Sequence, residues 1–376
     1  MARQCVISDV AEREAVLGLW AVPGIGPVAL RSISQAVGGA LRSVADVPVR
    51  EWLHLVDLPE VPREWLASVT TLRELAGLVQ DRASEARMQI HFAGDEGYPR
   101  QLLDIADPPP LLFSRGRIGN ERRRVALVGS RHPDHGVEPR IAPLVHQLAR
   151  AGVCVVSGAA IGLDRAAHLS ALQVGGETWA FMASSLDEID PAQSLLARDI
   201  LDGGGRILSE YPPTVRAKKE HFPRRNRLIS GASDAVVILR ARLGSGSMHT
   251  ASHAIAQGRP LFALPGDSWN DRASGCLHLV RTGAARMCVE ATDVLGALGM
   301  VPERQAPAPP AGRTLDELPL SDPARRALEA LNPGARMLEE VQEVSGLEPA
   351  ELVSALAELE LSGLAVQHPG RIYEKV

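Results

Sequence analysis

The sequence predicts a doubly wound α/β domain, preceded by a helical segment and followed by a small winged-helix-like one. Three observations lead there. Between residues 124 and 266, six short apolar runs alternate with stretches of helical periodicity. Residues 1–90 show helical texture without an alternating strand pattern. A Pro/Ala-rich stretch, "MVPERQAPAPPAGR" (300–313), separates these from three short amphipathic segments and a hairpin-like end. The expected division is therefore 1–90 helical, 91–299 α/β, 300–313 linker and 314–376 winged-helix-like.

In the first segment, "LWAVPGIGPVALRSISQAVGG" (19–39) reads as two amphipathic pieces joined by Pro-Gly-Ile-Gly-Pro. A tight turn opening a helix leaves backbone N–H groups free, and these can hold a phosphate. A helical hairpin packed only for its own stability fits the same residues.

The six runs of the second segment are "RVALVGS" (124–130), "VCVVSG" (153–158), "TWAFMA" (178–183), "RILSEY" (206–211), "AVVILRA" (235–241) and "PLFALPG" (260–266). Helix-like stretches near 138–151, 164–174, 192–201, 223–231 and 248–257 separate them. Continuous apolar runs in this rhythm indicate parallel strands buried on both faces. Ligands of such sheets gather at the carboxyl ends of the strands.

After the linker, "DPARRALEAL", "MLEEVQEVSG" and "EPAELVSALAELELSG" read as three helices, and "LAVQHPGRIYEKV" as a hairpin. The third helix carries Glu348, Glu351, Glu358 and Glu360 and no Lys or Arg, so phosphates would be repelled from it. A protein-contact or regulatory role suits it better than DNA reading.

Charge is unevenly spread. The chain is formally −5, yet residues 120–290 hold 21 Lys and Arg against 16 Asp and Glu. Residues 314–376 hold 5 against 12. The middle can face a polyanion and the tail cannot. Four cysteines without a CxxC pair argue for a reducing compartment and against a zinc or disulfide framework. No apolar run approaches the ~18 residues of a membrane span, so a cytoplasmic protein is expected.

Most chemistries find no support. The "VGSRHPDHG" turn lacks G-x-G-x-x-G and a ribose-binding acid, so no dinucleotide cofactor is expected. His249 and His253 have no third metal ligand in sight. Asp187, Glu188 and Asp190 suit a solvated loop, and "GSGS" (244–247) is not a nucleophile elbow. What remains is anion binding. Ser130 and Arg131 lie at the first strand's carboxyl end, and Gly158 and Gly162 bracket the turn after the second, beginning beside Ser157. "RAKKEHFPRRNR" (216–227) gathers Arg216, Lys218, Lys219, Arg224, Arg225 and Arg227 around Phe222, with Pro223 placed to open a helix. A ring among cations suits single-stranded nucleic acid, whose bases stack while its phosphates are neutralised.

The motifs also carry a resemblance. "YPRQLLDIADPPPLLFSRG", "VGSR", "SGAAIGLDRAAH", "LSEYPP", "HFPRRNRLISG", "SGSMHTASHAIAQGRPLFALPG" and "RTGA" stand in the order and spacing of the DprA/Smf family of DNA-processing proteins, from Tyr98 to Ala284. The helical start is similar to that family's SAM or helix-hairpin-helix-like extensions, and the tail to its winged helix. The resemblance implies an extended Rossmann-like domain that is not an enzyme. It would bind single-stranded DNA without a cofactor, dimerise through that domain and load RecA recombinase in natural transformation. It implies phosphate contacts from Ser130, Arg131, Gly158, Lys219 and Arg225, with Ser157 and Arg224 alongside. It also implies a base contact from Phe222 and a supporting role for Asn226 and Arg227. Arg240, Leu277 and Asp190 depart from the family's usual Glu, Asn and Tyr. Two other readings compete: a nucleotide phosphoribohydrolase-type enzyme, and a protein scaffold. The first family relies on Pro-Gly-Gly-x-Gly-Thr and a downstream Glu, where this chain has "LGSGSMHTA".

Overall fold

A computed structural model of the chain describes residues 7–118, 122–134, 136–300, 320–331, 336–362, 364–368 and 372–375. The expected linker lies, beyond Met300, outside the described residues. The chain forms two compact units, 1–303 and 304–376.

The first unit opens with five helices, α1 (Val10–Trp20), α2 (Pro27–Ala36), α3 (Val49–Trp52), α4 (Glu60–Ala67) and α5 (Leu72–Glu85). Asp9 caps α1 by accepting from the Glu12 N–H, and Thr71 caps α5 by accepting from that of Glu74. Two strands follow, β1 (Gln89–Phe92) and β2 (Leu111–Gly116). The α/β alternation then runs β3 (Arg124–Gly129), α6 (Val137–Arg150), β4 (Cys154–Ser157), α7 (Leu163–Gln173), β5 (Thr178–Phe181) and α8 (Pro191–Asp202). It continues through β6 (Arg206–Ser209), α9 (His221–Gly231), β7 (Ala235–Arg240), α10 (Gly246–Ala256), β8 (Leu261–Ala263), α11 (Ser274–Arg281), β9 (Arg286–Met287) and α12 (Ala291–Ala297).

All nine strands join one sheet in the order β1-β2-β6-β5-β4-β3-β7-β8-β9. The six strands expected from the apolar runs are parallel, and β9 extends them at one edge. The sheet is nevertheless mixed, because β2 pairs antiparallel with both β1 and β6.

Side chains alternate across the sheet, so each strand feeds two cores. Val125, Leu127, Val237 and Leu239 pack with Ile141, Leu144 and Val294 on one face. Ala126, Val128, Val236 and Ile238 pack with Leu228, Ile229 and Ala251 on the other. Each buried Val, Leu or Ile stabilises by about 1.5–3 kcal/mol. A third core joins Leu17, Leu19, Trp20 and Leu72 of the N-terminal helices to Phe113, Met182, Ile200 and Ile207. From its edge the Trp20 Nε1–H donates to the Glu210 carbonyl at 2.6 Å.

Strands β4 to β6 step outward on one side of β3, and the chain then returns to lay β7 on the other side. The order reverses between β3 and β7, and the crevice outside their carboxyl ends is where a ligand is expected.

The second unit holds α13 (Asp322–Ala330), β10 (Arg336–Met337), α14 (Leu338–Ser345), α15 (Pro349–Leu361), β11 (Ala365–His368) and β12 (Ile372–Lys375). Its strands pair in the order β10-β12-β11. Ala324, Leu328, Val341, Leu352, Leu356 and Leu359 form its core. This is the expected winged helix with one short strand added.

Candidate nucleic-acid interface

The turn after β3 is tied to the switch point by its backbone. The Ser130 N–H donates to the Arg240 carbonyl at 2.8 Å, and the Ser130 carbonyl accepts from the Leu163 N–H at 3.1 Å. The Ser130 hydroxyl accepts from the His132 N–H at 3.1 Å. So braced, the turn presents an exposed Arg131, whose guanidinium carbon lies 4.9 Å from the Phe222 ring centroid.

Phe222 belongs to the first turn of α9 and is partly buried, outside the hydrophobic clusters of the described residues. The start of α9 is fixed from beneath. The His221 ring stacks on Tyr211, with centroids 4.2 Å apart and planes 18° from parallel. Its Nδ1 lies 3.1 Å from the Ala183 carbonyl. Burial pushes the His221 pKa down, against the carbonyl contact that raises it.

The basic run divides. Arg216, Lys218, Lys219 and Arg224 are exposed, with Arg216 beside Glu188 at 3.0 Å. Lys218, Lys219 and Arg224 have no ion pair among the described residues. Arg225 and Arg227 point inward. Arg225 is 3% exposed and its Nη1 donates to the carbonyls of Gly158 and Phe181. Burial brings its pKa down to about 10, opposed by nearby Asp164. A Cβ on Gly158 would meet that guanidinium, so a larger residue there would have to displace the Arg225 side chain. Arg227 pairs with Glu210 at 2.6 Å and with Asp107 at 2.9 Å. Asn226 donates to the Gly246 carbonyl at 3.3 Å, joining α9 to the start of α10.

Three expectations change with this geometry. The resemblance implies a phosphate contact from Arg225, but its buried guanidinium holds the Gly158 turn from inside. The Ser157 hydroxyl is fully buried and donates to the Leu127 carbonyl at 2.6 Å, so it braces neighbouring strands. The glycine turn was expected to offer amides to an anion. Asp164, 6% exposed, takes them: its carboxylate accepts from the N–H of Gly129 at 3.3 Å and from those of Gly158 and Ala160. Burial raises the Asp164 pKa, and Arg225 and these donors counter it. Nothing in the spacing of "SGAAIGLDRAAH" singles out its aspartate for this.

Arg240, one of the departures from the family pattern, sits beside Asp134, with Nε 3.9 Å from Oδ2. Asp190, another, caps α8 by accepting from the Ala192 N–H at 2.8 Å. What remains exposed is Arg131 against the partly buried Phe222 ring and, in the same basic run, Lys218, Lys219 and Arg224, with Arg225 tying the run to the Gly158 turn from inside.

Comparisons with known proteins bear on this site. The family described as DNA recombination-mediator protein A matches residues 89–299, and the DprA winged helix domain matches 305–371. Protein Smf of Synechocystis sp. is 32% identical over 315 residues, 75% of this chain and 78% of that one. A putative DNA processing protein DprA of Mycobacterium tuberculosis is 38% identical over 286 residues, 75% of this chain and 73% of its own. The X-ray structure of DNA processing protein A from Streptococcus pneumoniae superposes with a TM-score of 0.62 at 28% identity, covering 77% of this chain and 98% of that one.

Proposed function

The chain belongs to the DNA recombination-mediator protein A family, and from that premise we propose that it binds single-stranded DNA across the carboxyl ends of β3, β4 and β6 and delivers it to a recombinase. One observation carries the reading. Phe222 lies outside the packed clusters beneath the exposed Arg131, with unpaired cations beside it. A ring so placed stacks an unpaired base, and the cations neutralise phosphates on either side.

The role is binding and not catalysis. A phosphoribohydrolase-type enzyme on these strand ends would need a carboxylate after the "LGSGSMHTA" turn, and α10 carries no Glu. A pure scaffold has no use for Phe222 among cations. The family's description as a recombination mediator supports a recombinase as the receiver, and we take RecA in natural transformation as the proposed setting. Dimerisation through the Rossmann-like domain fits β9, an edge strand with Met287 51% and neighbouring Val289 72% exposed. The acidic α15 suits a protein partner. Among the described residues no helix is long and apolar enough to cross a membrane, and the cysteine pattern favours the cytoplasm.

Fluorescence anisotropy with single- and double-stranded oligonucleotides across a salt series tests this. Four exposed cations, Arg131, Lys218, Lys219 and Arg224, predict a log–log salt slope of about −3, at about −0.7 for each phosphate neutralised. Single strands should bind more tightly than duplex; equal affinity would remove the stacking argument.

A further inference from the structure

Trp269 differs from the other tryptophans. Trp20, Trp52 and Trp179 are buried, Trp65 packs against the N-terminal core, and Trp269 is 85% exposed. In a chain with 3% aromatic residues this is an unusual place for an indole, which joins no hydrophobic cluster of the described residues. It lies in the loop between β8 and α11, on the same carboxyl edge as Arg131.

That loop is bonded to the Arg131 turn. Asn270 Nδ2 donates to Asp134 Oδ2 at 2.9 Å. Arg272 Nη1 donates to the carbonyls of His132 at 2.8 Å and Pro133 at 3.2 Å, and its Nε lies 3.5 Å from Asp134 Oδ1. A Cβ on Gly266 would meet Arg240 Nη1, so the loop packs closely against the guanidinium at the end of β7. Arg240 in turn accepts from Ser130 through its carbonyl. The loop of Trp269 and the turn of Arg131 are thus one hydrogen-bonded block.

The charges around the indole say what it meets. Asp271 pairs with Arg242 at 2.7 Å, while Asp267 is exposed and has no ion pair among the described residues. A free carboxylate two residues away disfavours phosphate there and leaves a neutral base as the suitable partner. We propose that Trp269 is a second stacking platform, taking an unpaired nucleobase from the strand that passes Arg131 and Phe222. The inference rests on the single-strand reading above. The bonds to the Arg131 turn are what favour a base over a protein surface as occupant.

Oligothymidine titrated into the full chain tests it by two readouts. Wild-type tryptophan emission should be quenched along the same curve that anisotropy reports, with the other tryptophans supplying the residual signal. Trp269→Ala should lose the quench and bind about 5- to 150-fold more weakly, with an unchanged salt slope. Trp269→Phe should recover most of the affinity. Phe222→Ala, though weaker, should still quench at saturation. A Trp269→Ala protein with wild-type affinity overturns the proposal, and one that also loses self-association assigns the indole to a second copy of the chain. A wild-type protein that ignores oligothymidine overturns the functional reading itself.

Discussion

The guanidinium of Arg131 and the ring of Phe222 meet 4.9 Å apart although 91 positions separate them in the chain, so one element carries the cation and another the ring. In the proposed complex with a single strand their contributions should be separable. Phe222→Ala should weaken single-strand binding by about 1–3 kcal/mol and leave the salt slope intact, because a stacked ring releases no counterions. Arg131→Ala and Lys219→Ala should each make the slope shallower by about 0.7. Thermal melts of all three should stay near wild type. A Phe222→Ala protein melting far below it would place the ring in the core, where its loss costs about 3–5 kcal/mol.

Arg227→Ala strands the Glu210 carboxylate, 5% exposed, without its partner. Breaking one side of a buried pair costs about 3–5 kcal/mol. Urea unfolding should show that loss, and adding Glu210→Gln should restore part of it. If the single variant unfolds at the wild-type midpoint, the pair is not structural.

Asp164→Asn should reduce stability by about 1–3 kcal/mol, because an amide nitrogen then faces N–H groups that had an acceptor. Single-strand affinity should fall with it, since the Gly158 turn and the Ser130 turn are joined through α7. Unchanged stability and affinity together would show that the carboxylate is dispensable there.

Two buried histidines should make the fold less stable as the pH falls below neutrality. Burial first, and then Arg206, lowers the His91 pKa to about 4, with Asp95 opposing; burial and Arg225 lower that of His168 to about 3. The Thr178 hydroxyl donates to the Val155 carbonyl, so the His168 Nδ1–H must donate to Thr178, which requires the neutral ring to carry its proton there. The unfolded chain takes up these protons near pH 6.5 and the folded chain does not. Stability is therefore full above about 6.5 and is lost as pH falls, by about 1.4 kcal/mol per pH unit for each histidine. Urea midpoints measured from pH 7.5 to 5 should trace that slope, and His91→Gln should flatten it. A flat wild-type profile would mean that neither ring is held neutral.

Deleting residues 314–376 removes 12 acidic and 5 basic residues. Single-strand affinity should stay the same or rise slightly as long-range repulsion is lost. A large drop in a folded truncation would give the winged helix a direct part in binding DNA.

The parallel strands were legible because strands buried on both faces are written as unbroken apolar runs, as in Val125–Val128 and Ala235–Leu239. The added strands were not. β9 is two exposed residues, and β2 ends in Ser-Arg-Gly, which reads as a loop until its pairing with β6 is seen. Among the candidate residues, Arg131 and Phe222 could be picked out from strand-end position and composition, and the structure brings them together. The fates of Arg225 and Arg227 could not, since a basic run says nothing about which cations a helix turns inward. Asp164 and Trp269 were equally silent: one matters for the amides it faces, the other for the bonds its neighbours make.

The way Asp164 fills the glycine turn also bears on what the protein can ignore. Amides that hold a built-in carboxylate have no vacancy for the phosphate of a free nucleotide. On the proposed site, millimolar ATP and inorganic phosphate should compete poorly for a single strand, because they lack the length to bridge ring and cations at once. In the proposed strand binder, selectivity over the metabolite pool would then come from an anion that the chain supplies to itself.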